Sequence, residues 1–128
     1  MTGKGSLNHN SRKFHAKNTD PNRTHWNVEY CNEDIKDVYH ELFDDALKRY
    51  NDKQTRKDRK IDDYYEKIRS GKQEKLFHEV ILQIGDKDNM GSETMEGQLA
   101  AKILDEYMKG FQERNPTLRV FAAHLHLD

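Results

Sequence analysis

The densest chemistry in the chain lies in Phe121-Ala122-Ala123-His124-Leu125-His126-Leu127-Asp128. These residues alternate, and successive side chains on a strand point to opposite faces. The spacing sets His124, His126 and Asp128 on one face and Ala123, Leu125 and Leu127 on the other. Two imidazoles and a carboxylate on one rigid strand suit a divalent cation, because His nitrogen and carboxylate oxygen both ligate first-row metals. A solvated strand face that happens to carry two histidines has the same pattern. A second cluster lies near the other end: His9-Asn10-Ser11-Arg12, then Asn18-Thr19-Asp20, Arg23, and Asn27 with Tyr30. A neutral histidine can act as nucleophile or general base, and a deprotonated tyrosine can attack a phosphodiester. Arginine grips phosphate oxygens through a planar fork, and a bound metal would polarise the phosphoryl group. These are the parts for transesterification on nucleic acid. Each has a plainer competitor: Tyr30 as a core residue, His9 as a solvated loop residue, Arg12 and Arg23 as surface charges.

The elements that must position these groups follow from periodicity. Residues 1–26 are polar and turn-forming, with Asp20-Pro21-Asn22 a turn signal, and read as a loop segment. Residues 26–31 alternate as a short strand, with Trp26, Val28 and Tyr30 on one face and Asn27 and Glu29 on the other. Asn32 is the expected N-cap of an amphipathic helix over about 33–52, whose stripe runs Ile35, Val38, Tyr39, Leu42, Phe43, Ala46, Leu47 and Tyr50. A second, more charged helix is expected over 56–70, ending at Gly71. Residues 75–84 read as a strand and 92–114 as a helix that Asn115-Pro116 ends. The closing strand is expected over 117–127. Strands interleaved with helices predict an α+β fold, an antiparallel sheet with helices packed on one face.

The 128 residues bound the chain to a single domain, read as a 1–26 motif segment and a 27–128 α+β body. A net charge of −1 gives no global case for a polyanionic partner. Locally, residues 48–75 hold eleven Lys or Arg against six Asp or Glu, and residues 1–30 five against two. The single cysteine, Cys31, excludes a disulfide framework and a cysteine-rich zinc site. No apolar run approaches the roughly 20 residues of a membrane span, and Met1 to Asn8 has no signal-peptide core, so a soluble cytoplasmic protein is expected.

His9-Asn10-Ser11-Arg12 followed by Asn18-Thr19-Asp20-Pro21-Asn22-Arg23-Thr24-His25-Trp26-Asn27-Val28-Glu29-Tyr30 resembles the N-terminal signature of the Mob/Pre plasmid mobilisation and recombination relaxases, of the His-hydrophobic-His superfamily. Phe121 to Asp128 resembles the start of that family's second signature, His-Leu-Asp-Glu followed by Pro-His-x-His. The resemblance implies a site-specific endonuclease and strand transferase acting on single-stranded origin-of-transfer DNA, alongside other mobilisation proteins. It implies manganese or magnesium held by three histidines, with His126 at the first ligand position and His124 a neighbour. It assigns His9 as nucleophile, Tyr30 as alternative nucleophile, and Arg12, Asn18, Asp20, Arg23 and Asn27 to phosphate contact or loop support. The sequence departs from the family pattern at both ends, since the Glu and the Pro-His-x-His after Asp128 and an initial strand are missing. The resemblance therefore implies an N-terminal part of a relaxase domain with strands missing at both ends, an incomplete metal site and reduced or no activity alone. The competing expectations are a non-catalytic nucleic-acid-binding module using the basic 48–75 region, and a helical partner-binding domain with a disordered N-terminus.

Overall fold

Asp34 rather than Asn32 starts the long helix, because its carboxylate accepts from the backbone N–H groups of Lys36 and Asp37 and satisfies the first free donors of the turn. In the computed structural model, which describes residues 2–3, 6–13, 17, 19–85, 91 and 93–128, the chain divides into two compact units. One comprises Met1–Asn32 with Glu79–Asp128, and the other Glu33–His78.

The second unit is a helical pair. Helix α2 (Ile35–Asp52) packs on α3 (Tyr64–Ser70), with Val38 and Ile68 buried. Tyr39, Phe43, Tyr64 and Tyr65 form a ring cluster at centroid separations of 5.0–6.0 Å. The helix expected over 56–70 is confined to its second half. Residues 53–63 hold a single apolar side chain, Ile61, so no stripe drives helix formation there. A 3-10 turn at Lys57–Arg59 precedes α3, which Asp63 caps and Gly71 ends.

The first unit holds two antiparallel pairs. Strand β2 (Val28–Asn32) pairs β4 (Ala122–Leu125), and β1 (Thr2–Gly3) pairs β3 (Glu79–Val80). Helix α4 (Met95–Lys109), capped by Thr94, packs on β4 with Gly97 and Ala100 as its buried positions and Ala123 buried on the strand. A four-residue helix α5 (Phe111–Arg114) follows directly. The α+β class is as expected, with helices and small antiparallel sheets. The strand expected over 75–84 shrinks to two residues, since β1 offers a partner only that long, and Val80, Ile81, Leu82 and Ile84 stay exposed. The apolar stripe of α4 is also only partly covered, with Met95 84% and Leu99 60% exposed. Among the described residues no helix is long and apolar enough to cross a membrane.

Candidate functional site

The expected loop over 1–26 carries two local structures that aim its side chains. Ser6 caps the short helix α1 (Leu7–Asn10) by accepting from the His9 N–H. Asp20 caps a 3-10 turn at Pro21–Trp26, where Pro21 fits the first position because its missing N–H would have no partner there. Between the two, Arg12 adopts φ 56°, a left-handed backbone that costs a non-glycine residue about 1 kcal/mol or more. That conformation is held by a distant partner.

The partner is Asp128. Arg12 Nε donates to Oδ2 at 2.8 Å and Nη2 to Oδ1 at 2.5 Å, a two-pronged pair whose side chains are 10% and 0% exposed. Thr24 Oγ1 donates to Oδ2 at 3.0 Å, and the Asp20 N–H donates to the Asp128 carbonyl at 2.9 Å. The Asn27 side-chain oxygen Oδ1 accepts from the Leu127 N–H at 2.7 Å. Its amide nitrogen is buried on the side of the same carboxylate but falls short of hydrogen-bond geometry. Arg12 first, with Asn27 and Thr24 adding to it against the opposing effect of burial, holds the Asp128 carboxyl far below the usual carboxylate range. Two segments more than a hundred residues apart in sequence are thus bolted together.

The bolt shapes a cleft of about 150 Å³ lined by Asn10, Ser11, Arg12, Thr24, Asn27, Val28, Glu29, His124 and His126. His124 and His126 stand with ring centroids 6.0 Å apart, as their shared strand face predicts. Burial pushes both imidazoles below their usual range. Asn10 opposes this for His126, as Glu29, 3.8 Å from His124 Nδ1, does for His124. His126 Nε2 lies 2.8 Å from the Asn10 carbonyl; an N–H there leaves Nδ1 as the nitrogen with a lone pair.

His9 is outside the cleft lining but meets it edge-on, its ring 6.4 Å from that of His126 and its Nε2 3.5 Å from Arg12 Nη1. Arg12 Nη1 also donates to the His9 carbonyl at 3.0 Å. Tyr30 points elsewhere. Glu29 pairs with His124 and Cys31 with Ala123, so Tyr30 is the extra residue of a β-bulge, which breaks the alternation expected for this strand. Its hydroxyl donates to Asp105 on α4. Burial first, and the Asp105 carboxylate second, push the phenol well above its ordinary value. Asp105 is in turn held low by Tyr30 and by Lys109, 2.9 Å away.

Of the other expected site residues, Arg12 and Asn27 line the cleft. Asp20 supports the 3-10 turn and accepts from Arg23 Nε at 3.2 Å, while Arg23 Nη1 reaches Glu93 at 3.1 Å. Asn18 lies outside the described residues. Thr24 and Glu29 stand in the matched signature without having been singled out. Asp128, first read as a metal ligand, has both oxygens committed to Arg12 and Thr24. Among the described residues no group of three or more His, Cys, Asp or Glu side chains could hold a metal ion. The described donors do not make a metal site by themselves. The family model described as plasmid recombination enzyme matches residues 4–128. No curated protein and no solved structure gave a match.

Proposed function

The chain belongs to the plasmid recombination enzyme family, and on that premise we propose that it cuts and rejoins one DNA strand at a plasmid transfer origin, with His9 as the nucleophile. The observation that carries this reading is the cleft walled by Arg12, His124 and His126, with His9 at its rim. In the first step a His9 ring nitrogen attacks phosphorus. An N–P bond forms to the 5′ phosphate, the P–O3′ bond breaks, and the departing 3′ oxygen takes a proton from water. Rejoining is the reverse. Arg12 Nη1 is 3.5 Å from His9 Nε2, so a phosphoryl group carried on that nitrogen has its oxygens within reach of the same guanidinium.

Tyr30 is the weaker candidate. Its phenol must lose a proton to attack, and both its burial and its bond to Asp105 oppose that loss. Asn27, Asp20 and Arg23 act in this reading as supports of the cleft wall, and Asn18 keeps its family role as a loop or phosphate residue. Manganese or magnesium would take its other ligands from outside the described residues, with His126 Nδ1 the donor contributed here, and no step above is routed through it. The test is denaturing-gel detection of a protein–DNA adduct on single-stranded origin DNA with added manganese, comparing the chain with H9A and Y30F. Adduct lost in H9A and kept in Y30F supports the proposal; the opposite pattern overturns it.

A second reading, a nucleic-acid-binding module without chemistry, draws on one observation: two of the three Arg12 nitrogens are spent on Asp128. It predicts DNA binding with no adduct from any variant.

A further inference from the structure

The Glu33–His78 unit takes no part in the cleft, yet its charges are strongly sorted. Residues 33–45 carry six acidic side chains against one lysine, and residues 46–60 carry seven Lys or Arg against two Asp. Complementing the helix dipole accounts for acid at the start of α2 and base at its end. It does not account for the run continuing beyond Asp52, where α2 stops, to Lys60.

Residues 53–60 form a loop closed at its base by one side chain. Asn51 Nδ2 donates to the Ile61 carbonyl at 2.7 Å, and the Ile61 N–H donates to Asn51 Oδ1 at 2.8 Å. This amide copies the two-bond pairing of neighbouring strands and pins the loop ends together. Inside it the chain is further ordered by the 3-10 turn at Lys57–Arg59 and by the Arg56–Asp58 ion pair at 2.7 Å. Lys53, Lys57, Arg59 and Lys60 are exposed, and among the described residues no ion pair engages them. Four exposed cations on a pinned frame present a concentrated positive charge to an anionic partner.

We infer that this loop is a second DNA-contacting site, a cationic finger that grips the phosphate backbone with residues other than those lining the cleft; the choice of DNA as the polyanion rests on the family-based reading above. The contact reads charge and spacing, since Lys and Arg on a loop with no aromatic side chain offer no stacking platform. It therefore adds affinity and register while leaving sequence choice to other residues.

The test measures binding of the full chain to a fluorescent single-stranded oligonucleotide and to a duplex of the same sequence, over 50 to 200 mM salt, beside K53Q/K57Q/R59Q/K60Q. Each phosphate contact contributes about 0.7 to the salt slope on single strands and about 0.9 on duplex. Four lost contacts lower the slope by up to about 2.8 or 3.6, so the unmodified chain loses up to about fifty-fold more single-strand affinity than the variant across that range. All four positions are exposed, and circular dichroism checks that the variant keeps its helices. N51A retains every charge but unpins the loop; the inference expects weaker binding at low salt from it as well. Unchanged slopes in the quadruple variant, or no DNA binding by the unmodified chain, overturn the inference. Equal capture by phosphatidylserine vesicles, with competition between vesicle and DNA lost in the variant, would mark a general anion patch and overturn the DNA assignment. DNA binding that depends on the finger but yields no adduct in any form leaves the inference standing and removes the nicking proposal.

Discussion

Replacing Asp128 with Asn should loosen the first unit severely, although it alters a single atom type. The carboxylate is fully buried and receives two guanidinium N–H donors and the Thr24 hydroxyl. An Asn in its place turns an NH₂ group toward one of these donors and leaves Arg12 charged and 90% buried without a counter-ion. Breaking one partner of a buried ion pair costs about 3–5 kcal/mol. The residual 10% exposure of Arg12 lets some water in and places the expected loss near the lower end, about 3 kcal/mol. R12Q, which strands the carboxylate instead, should cost a similar amount. The double variant R12Q/D128N puts two neutral amides face to face, so its cost should fall short of the sum by about 2–3 kcal/mol. Urea unfolding followed through Trp26 reads this unit alone, because Trp26 is the only tryptophan and lies within it. A D128N cost below about 0.5 kcal/mol, the scale of an ordinary surface substitution, would refute the reasoning. So would strict additivity in the double variant, since the two side chains would then not be acting as a pair.

The same pair sets a pH dependence. A carboxyl held low in the folded state contributes stability that is fully present above its unfolded value of about 3.9 and is lost as pH falls toward its folded value. Trp26-monitored stability should therefore decline through and below pH 4 more steeply than in D128N; parallel curves would count against the pairing. On α4, M95K and L99K should each change stability by less than about 0.5 kcal/mol and raise solubility, because those side chains are 84% and 60% exposed. Losses of several kcal/mol would show that the α4 stripe is packed. Y30F should keep adduct formation while removing the hydrogen bond to Asp105, and loss of the adduct at unchanged folding would return Tyr30 to the chemistry.

Where a strong period and a local partner coincide, the sequence was legible. The α2 stripe is long enough to settle the helix, and only its cap moved, from Asn32 to Asp34, a residue with the same chemistry two places on. Residues 75–84 misled because β-propensity describes a side chain's fit to a sheet, and a strand forms only where a neighbouring strand exists to pair with it. Here Thr2–Gly3 supplies two residues of partner. In the site, alternation alone gave the shared face of His124 and His126. The fate of Asp128 was hidden, because Arg12 and Asp128 are 116 residues apart and no local pattern links them. Tyr30 was hidden for a different reason: a one-residue bulge redirects a side chain, and nothing in Val28-Glu29-Tyr30-Cys31 marks it.

The central claim, that His9 attacks phosphorus at the rim of this cleft, is tested most directly by locating the DNA adduct. The chain is incubated with single-stranded origin DNA and manganese, digested with nuclease and then trypsin, and kept alkaline to protect an N–P bond. Trypsin cleavage after Lys4 and Arg12 isolates His9 in the peptide 5–12, and cleavage after Arg23 and Lys36 isolates Tyr30 in the peptide 24–36. A nucleotide mass on peptide 5–12 is the predicted result. The same mass on peptide 24–36, assigned to the Tyr30 oxygen, would contradict it.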